Sequence, residues 1–314
     1  MEVSSFMQIS NMQRFVVKMV AFVLCMLVVD AFCGIAFSFF RNHAKGGSTQ
    51  EANYIAEQCN ADILILGSSR ANHHYNPVIL DSIGGFAYNG GIDGQGIVLG
   101  LGRYLMCAEN HVPKIVIYEI TPEFDYLAYG QNSKYFGFLR PYYEKAGVES
   151  IFEKIETPFN RLKLHSQMYR NNSKLLSNVR DLFVKGQNTR GYYPQHGTLN
   201  KNLKENEGER SIVIDSVKLS MMESLINETA KRGTKLYFAI SPRFLTVNDN
   251  KVLLMYQPGI ELAQKYNVPV LNYIFTTGLS DNSEMFVDYV HMNDIGSAIY
   301  SRMIVSKISN LNGD

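Results

Sequence analysis

Near its C terminus the chain reads VDYVHMNDIGSAIYSRM, which places Asp288 three residues before His291. An acid and an imidazole that close together in one turn suit nucleophilic catalysis. The ring takes a proton from a hydroxyl, while the carboxylate fixes its tautomer and stabilises the imidazolium that forms. A hydroxyl stands far upstream in LGSSRA, where Ser68 and Ser69 leave the apolar run ADILILG (Ala61–Gly67). A serine passing from a buried strand into a helix lies beside main-chain N–H groups and a positive dipole end, which favour developing negative charge. A third piece, NGGIDGQG (Asn89–Gly96), follows a second apolar run. Its glycines let the backbone approach a ligand and reach positive φ. Singly, each piece has an ordinary explanation: a capping serine, a loop acid, a turn. Their order along the chain gives them weight.

The elements that must position these pieces are five short apolar runs: Ala61–Gly67, Phe86–Asn89, Lys114–Ile120, Thr234–Ser241 and Val268–Tyr273. Helical patterns separate them over Gly96–Asn110, Asp215–Arg232 and Val252–Tyr266, with another at Asn293–Ile308. Strands alternating with helices predict an α/β fold, a five-stranded parallel sheet in a three-layer α/β/α arrangement. Right-handed crossovers then bring all strand C-terminal ends to one edge, where such sheets bind ligands. About residues 129–210 the rhythm breaks into helical and irregular pieces inserted after the third strand. Two aromatic stretches there, Tyr135–Tyr143 and Thr189–Gly197, suit either a cleft wall or a packed subdomain.

Taken together the pieces resemble the SGNH/GDSL hydrolase superfamily, whose fold is flavodoxin-like. Gly67-Ser68-Ser69 matches its first motif, Asn89 to Gly94 its second and Asp288-Tyr289-Val290-His291 its last, with Asn293 and Gly296 continuing the pattern. The resemblance implies Ser69 as nucleophile, His291 as base and Asp288 as its partner. It implies an oxyanion hole of the Ser69 and Gly94 N–H groups. The superfamily's G-x-N-D motif is missing: the third strand runs IVIYEITPEFDY and offers Glu119, Thr121 and Glu123. An ionised carboxylate cannot donate, so Thr121 is the candidate replacement. Arg70 and Asn89 are candidate substrate contacts, although Arg70 is better suited to a structural ion pair. His73 and His74, one turn beyond Ser69, read as helix-surface residues.

Composition removes other classes. A net charge of +1 on 314 residues gives no basic face for nucleic acid. The glycines of Gly94–Gly102 lack a dinucleotide fingerprint and follow the second strand rather than the first, and no phosphate loop occurs. No metal or cofactor is implied. Cys59 and Cys107 lack zinc or redox spacing and read as buried free thiols in preference to a disulfide.

Met19–Phe40 is apolar and long enough to cross a bilayer, with Asp30 its one charge. Its length and Phe-rich flanks favour an uncleaved signal anchor over a cleaved peptide, and Phe32 disfavours lipidation at Cys33. The chain thus divides into residues 1–45, a tail, anchor and polar link, and 46–314, the enzyme-like part, expected on the extracytoplasmic side. The expected activity is a membrane-anchored serine esterase or O-acyltransferase acting on acyl esters, acetyl foremost, of a cell-surface glycan. The rival is a weakly catalytic assembly partner of a multispan membrane acyltransferase, paired through Asp30.

Overall fold

Alternate residues of the central strands face two different apolar clusters, as the two-residue period of a strand requires. In β1 (Ile63–Gly67), Leu64 and Leu66 join one cluster and Ile63 and Ile65 the other. The same parity runs through β3 (Ile115–Glu119), where Val116 and Tyr118 oppose Ile115 and Ile117. It continues in β4 (Lys235–Ile240), where Leu236, Phe238 and Ile240 oppose Tyr237 and Ala239. With β2 (Ala87–Asn89) and β5 (Val270–Asn272) these strands make a parallel sheet of order β2-β1-β3-β4-β5. This is the flavodoxin-like order. The structure is a computed structural model, and it describes residues 11–128, 137–145, 147–186, 189–200, 212–245 and 250–313.

Helices cover both faces. α5 (Ile97–Asn110), α11 (Ser216–Lys231) and α12 (Asn250–Lys265) supply the cluster that takes the even-numbered residues of β1, β3 and β4. α3 (Ser69–His74), α4 (Pro77–Leu80) and α13 (Asp294–Asn312) supply the other. The five strands and four long helices expected from the sequence are all present, with ends displaced by a few residues. The short α6 (Pro122–Asp125) follows β3, with Pro122 at its first turn, where a missing N–H costs nothing.

Residues 59 and 107 correct an expectation. Cys59, at the end of a π-helical turn, and Cys107 of α5 are joined as a disulfide, Cα–Cα 5.1 Å, where two free thiols were expected. No motif spacing signals the bond because 48 residues separate the two. Packing of the π-helical turn on α5 brings them together.

The N-terminal helix α1 (Asn11–Asn42) is long and apolar enough to cross a membrane, as anchors and signal sequences are. It does not project freely along its whole length. Asp30 accepts from Ser166 Oγ at 2.6 Å and from the main-chain N–H groups of Gln167 and Met168 at 2.9 and 3.0 Å. The acid expected to seek a partner helix therefore caps α9 (Gln167–Asn171) of its own chain. Further on, Gly34 packs on Gln167, and the Arg41 guanidinium donates to the Pro141 carbonyl and lies over the Tyr142 ring. The presumed polar link is also structured: α2 (Gly47–Asn53) follows α1 after four residues, and Lys45 N–H donates to the Asp181 carbonyl.

The inserted region supplies α7 (Val148–Ile155), α8 (Pro158–Lys163), α9 and α10 (Leu175–Asp181). Of Tyr135–Tyr143, the residues 135 and 136 lie outside the described ones, while Leu139, Tyr142 and Tyr143 are core. The described residues of that stretch, 137–143, form a packed wall and do not line the cleft beside Ser69.

Reducing the Cys59–Cys107 bond is expected to lower the unfolding free energy by about 3–4 kcal/mol, the entropy of a loop this long. Urea titration with and without reductant measures this. A Cys59→Ala/Cys107→Ala variant should show the same loss and no response to reductant.

Candidate active site

Gly67 ends β1 at φ +138°, and a Cβ there would lie 2.7 Å from the Glu119 carbonyl oxygen. Only glycine permits this conformation so close to the paired strand β3. The chain then turns through Ser68, fully buried, into Ser69, the first residue of α3. Ser69 Oγ lies 2.8 Å from His291 Nε2.

His291 comes from a tight loop closed by an antiparallel bridge between Phe286 and Met292 and by the Val287 N–H donating to the His291 carbonyl at 2.9 Å. Asp288 serves the loop twice. Its Oδ1 accepts from the N–H groups of Val290 and His291, both at 2.8 Å, and its Oδ2 meets His291 Nδ1 at 2.8 Å. Burial pushes the Asp288 carboxyl up, but the His291 ring and these two N–H groups outweigh it and hold it below the usual carboxylate range. A carboxylate at Nδ1 keeps the proton there, leaving Nε2 to accept from the serine hydroxyl. After the loop, Asn293 caps α13 through Gly296 N–H at 3.0 Å, and its amide donates to the carbonyls of Gly197 and Glu284.

Behind this line runs a buried polar relay that sequence reasoning did not find. Met292 N–H donates to His74 Nε2 at 3.0 Å, so the proton of that ring is on Nδ1. Nδ1 meets Ser241 Oγ at 2.8 Å, and that hydroxyl donates to Glu119 Oε1 at 2.7 Å. Glu119 also accepts from the Ser241 N–H at 3.1 Å, from the Tyr75 hydroxyl and from Arg70 Nη2 at 2.9 Å. Burial opposes the Arg70 charge, but Tyr256 and Glu119 outweigh it and keep the guanidinium protonated. His74 is completely buried, and that burial, with His291, Arg70 and His73 nearby, drives its pKa well down. His73 is 5% exposed. Both rings are thus core residues and not helix-surface ones. A six-residue helix buried from Arg70 to His74 has no solvent face from which the distinction could be read.

Asn89, expected at the substrate, is 1% exposed and committed to main chain. Its amide donates to the carbonyls of Ala71 and Tyr75 at 2.7 and 3.0 Å, and its Oδ1 accepts from Gly91 N–H at 2.9 Å. It therefore positions the loop after β2 against α3. Asp93 of that loop accepts from Asn72 Nδ2 at 2.8 Å and faces His73 Nε2 at 3.2 Å, while His73 Nδ1 meets the Tyr193 carbonyl at 2.6 Å. Burial lowers the His73 pKa, but Asp93 and that carbonyl outweigh it and raise it. The stretch Thr189–Gly197 thus supports the loop from outside. Gly94 follows Asp93 at φ +65°, half-buried, with open space where a side chain would be.

Ser69 and His291 open on a cleft of about 560 Å³, also lined by Arg70, Thr121, Arg243 and Tyr256. Thr121 N–H donates to Asp125 Oδ2 at 2.6 Å, while the Thr121 hydroxyl is buried and unpartnered, as is Arg70 Nη1. Asn89 and Gly94 do not line it. The carboxyl of Asp125 is pushed up to about 7 by burial. Among the described residues no cluster of His, Cys, Asp or Glu could hold a metal.

No protein-family profile and no curated protein matches the chain. Among solved structures it is similar to a Bacteroides fragilis protein provisionally assigned as an acylhydrolase, at 14% identity and TM-score 0.42, covering 84% of this chain and 97% of that one. It is also similar to a Streptococcus pneumoniae protein provisionally described as a platelet activating factor, at 12% identity and TM-score 0.43, covering 91% and 99%.

Glu119→Leu removes the acceptor shared by Arg70, Tyr75 and Ser241 and leaves the buried Arg70 charge without its carboxylate, which is expected to cost about 3–5 kcal/mol in denaturant titration. His74 offers a pH test. A histidine with a depressed folded pKa contributes stability that is present above its ordinary pKa, about 6.5, and lost as pH falls. The stability advantage of wild type over His74→Gln should therefore shrink on acidification below that pH. An advantage independent of pH would contradict a neutral buried ring.

Proposed function

We propose that the chain is a serine esterase or O-acyltransferase of the SGNH/GDSL type, held in a membrane by α1 with its catalytic part extracytoplasmic. Its substrates are acyl esters, acetyl foremost, of a cell-surface glycan. The observation carrying this reading is the unbroken line Asp288–His291–Ser69, each contact 2.8 Å, ending at the cleft.

In the proposed reaction Ser69 Oγ attacks the ester carbonyl as His291 Nε2 takes its proton, and the departing alcohol receives that proton. Water or an acceptor hydroxyl then attacks the acyl-enzyme with His291 again as base. Which one enters decides between hydrolysis and transfer. The oxyanion would meet the Ser69 N–H and the Thr121 hydroxyl, whose lack of any protein partner suits that task, while the Gly94 N–H would have to turn toward a cleft it does not line. Arg70 Nη1, likewise unpartnered, is the candidate contact for a substrate oxygen. The Cys59–Cys107 disulfide supports an oxidising, extracytoplasmic location. Of the two motives for the rival reading as an assembly partner, the missing asparagine motif and Asp30, the second is weakened, because Asp30 is satisfied within the chain.

The test is fluorophosphonate labelling and p-nitrophenyl acetate turnover of the full chain in detergent, beside Ser69→Ala. Both signals should vanish in the variant, and an unlabelled, folded wild type would refute an activated serine. Thr121→Val should lower kcat by about 10²-fold, the usual cost of one oxyanion donor, with KM little changed. Unchanged kcat would remove Thr121 from the oxyanion hole.

A further inference from the structure

Outside α1, the three most exposed large apolar side chains among the described residues are Leu176 (86%), Phe183 (84%) and Phe159 (69%). All three fall in one thirty-residue stretch, 157–186, together with Leu162 at 65%. Phe159 and Leu162 are three apart on α8, and Leu176 and Phe183 seven apart along and just beyond α10. Those spacings place each pair on one helix face. The same stretch holds six basic residues against the single acidic Asp181, in a chain whose net charge is +1. Arg161, Arg170 and Arg180 pair with Glu153, Glu144 and Asp181, and the other three cations are Lys163, Lys174 and Lys185. Lys163 Nζ lies over the Phe159 ring at 4.6 Å, a cation held above an apolar group.

Position gives this surface its meaning. The stretch is packed on α1 at and after Asp30, through the α9 cap and the Gly34–Gln167 contact. On α1 at the same level Phe32 and Ile35 remain 71% and 72% exposed. Before Asp30, α1 stands clear of the fold for about 28 Å, close to the thickness of a hydrocarbon core. Apolar and aromatic side chains interleaved with cations, next to a spanning helix, match a surface that enters the interface of lipid headgroups and acyl chains. A protein partner would not account for the continuity with α1 or for the excess of cations.

We infer that residues 157–186 form a second membrane contact. α8 and α10 rest on the leaflet on the side of the catalytic part, with Phe159, Leu162, Leu176 and Phe183 inserted among anionic headgroups and the bilayer boundary near Asp30. The span is thereby shifted toward the N terminus relative to Met19–Phe40. The inference rests on α1 crossing the membrane, and the experiment separates the two.

The chain contains no tryptophan, so a single introduced one reports alone. Leu176→Trp, Phe183→Trp, Phe22→Trp within α1 and Leu254→Trp at an exposed position of α12 would each be placed in the full chain. They would be reconstituted in nanodiscs containing anionic lipid brominated along its acyl chains. Fluorophosphonate labelling at the wild-type rate confirms that each variant is folded. Phe22→Trp, Leu176→Trp and Phe183→Trp should lose emission to the bromolipid and have blue-shifted maxima, while Leu254→Trp is quenched only by aqueous iodide. Quenching at Phe22→Trp with Leu176→Trp and Phe183→Trp behaving like Leu254→Trp would overturn the second contact and leave the anchor standing. No lipid quenching at Phe22→Trp would overturn the anchor and this inference with it.

Discussion

One buried carboxylate organises the centre of this molecule. Glu119 closes β3 on the face shared by α3 and α13, and it draws in three groups: Arg70 from α3, Tyr75 just after it, and Ser241 beyond β4. Left alone in an apolar interior such a group would be untenable. Its partners are therefore obliged to hold their places, and through Ser241 and His74 the constraint reaches the main chain of Met292, next to His291. The alignment of Ser69 and His291 is thus tied to a network fixed at the sheet and not only to the loop that carries His291.

Parity explains why this works. Along β3 the odd positions face α3 and α13, so Glu119 points away from the α5 side by the same alternation that buries Ile115 and Ile117. Ser241 lies one step past Ile240 of β4 and shares that parity. The strand pattern was legible, and with it the sheet, its parallel sense and the edge where Ser69 and His291 come together. The departure at the third strand was legible too, although only as the loss of a donor. That a glutamate in that position would become the hub of a relay was not, because its partners lie 44 and 122 residues away.

Other misreadings share a cause. His73 and His74 were assigned to a surface because a single short turn carries no periodicity, whereas both rings are enclosed. Asn89, a candidate substrate contact on its motif, spends its amide on the carbonyls of Ala71 in α3 and Tyr75 just after it. The cysteines and Asp30 depend on contacts between segments distant in sequence, which no local pattern encodes. What could be read one residue at a time was residue chemistry and strand parity. What could not was which long-range neighbour completes each buried polar group.

The junction between α1 and the rest of the chain contains no slack. Helix follows helix with four residues between, and Asp30, Gly34, Arg41 and Lys45 all bind the body that follows. A catalytic unit on a loose tether samples a hemisphere of positions. One mounted on a stiff post keeps its opening at one height and one tilt. With α1 in a bilayer, the cleft would sweep a narrow plane parallel to the membrane, and under the proposed activity reach would become a selector in its own right: esters carried within that plane would be met repeatedly, and identical esters farther out would not be met at all.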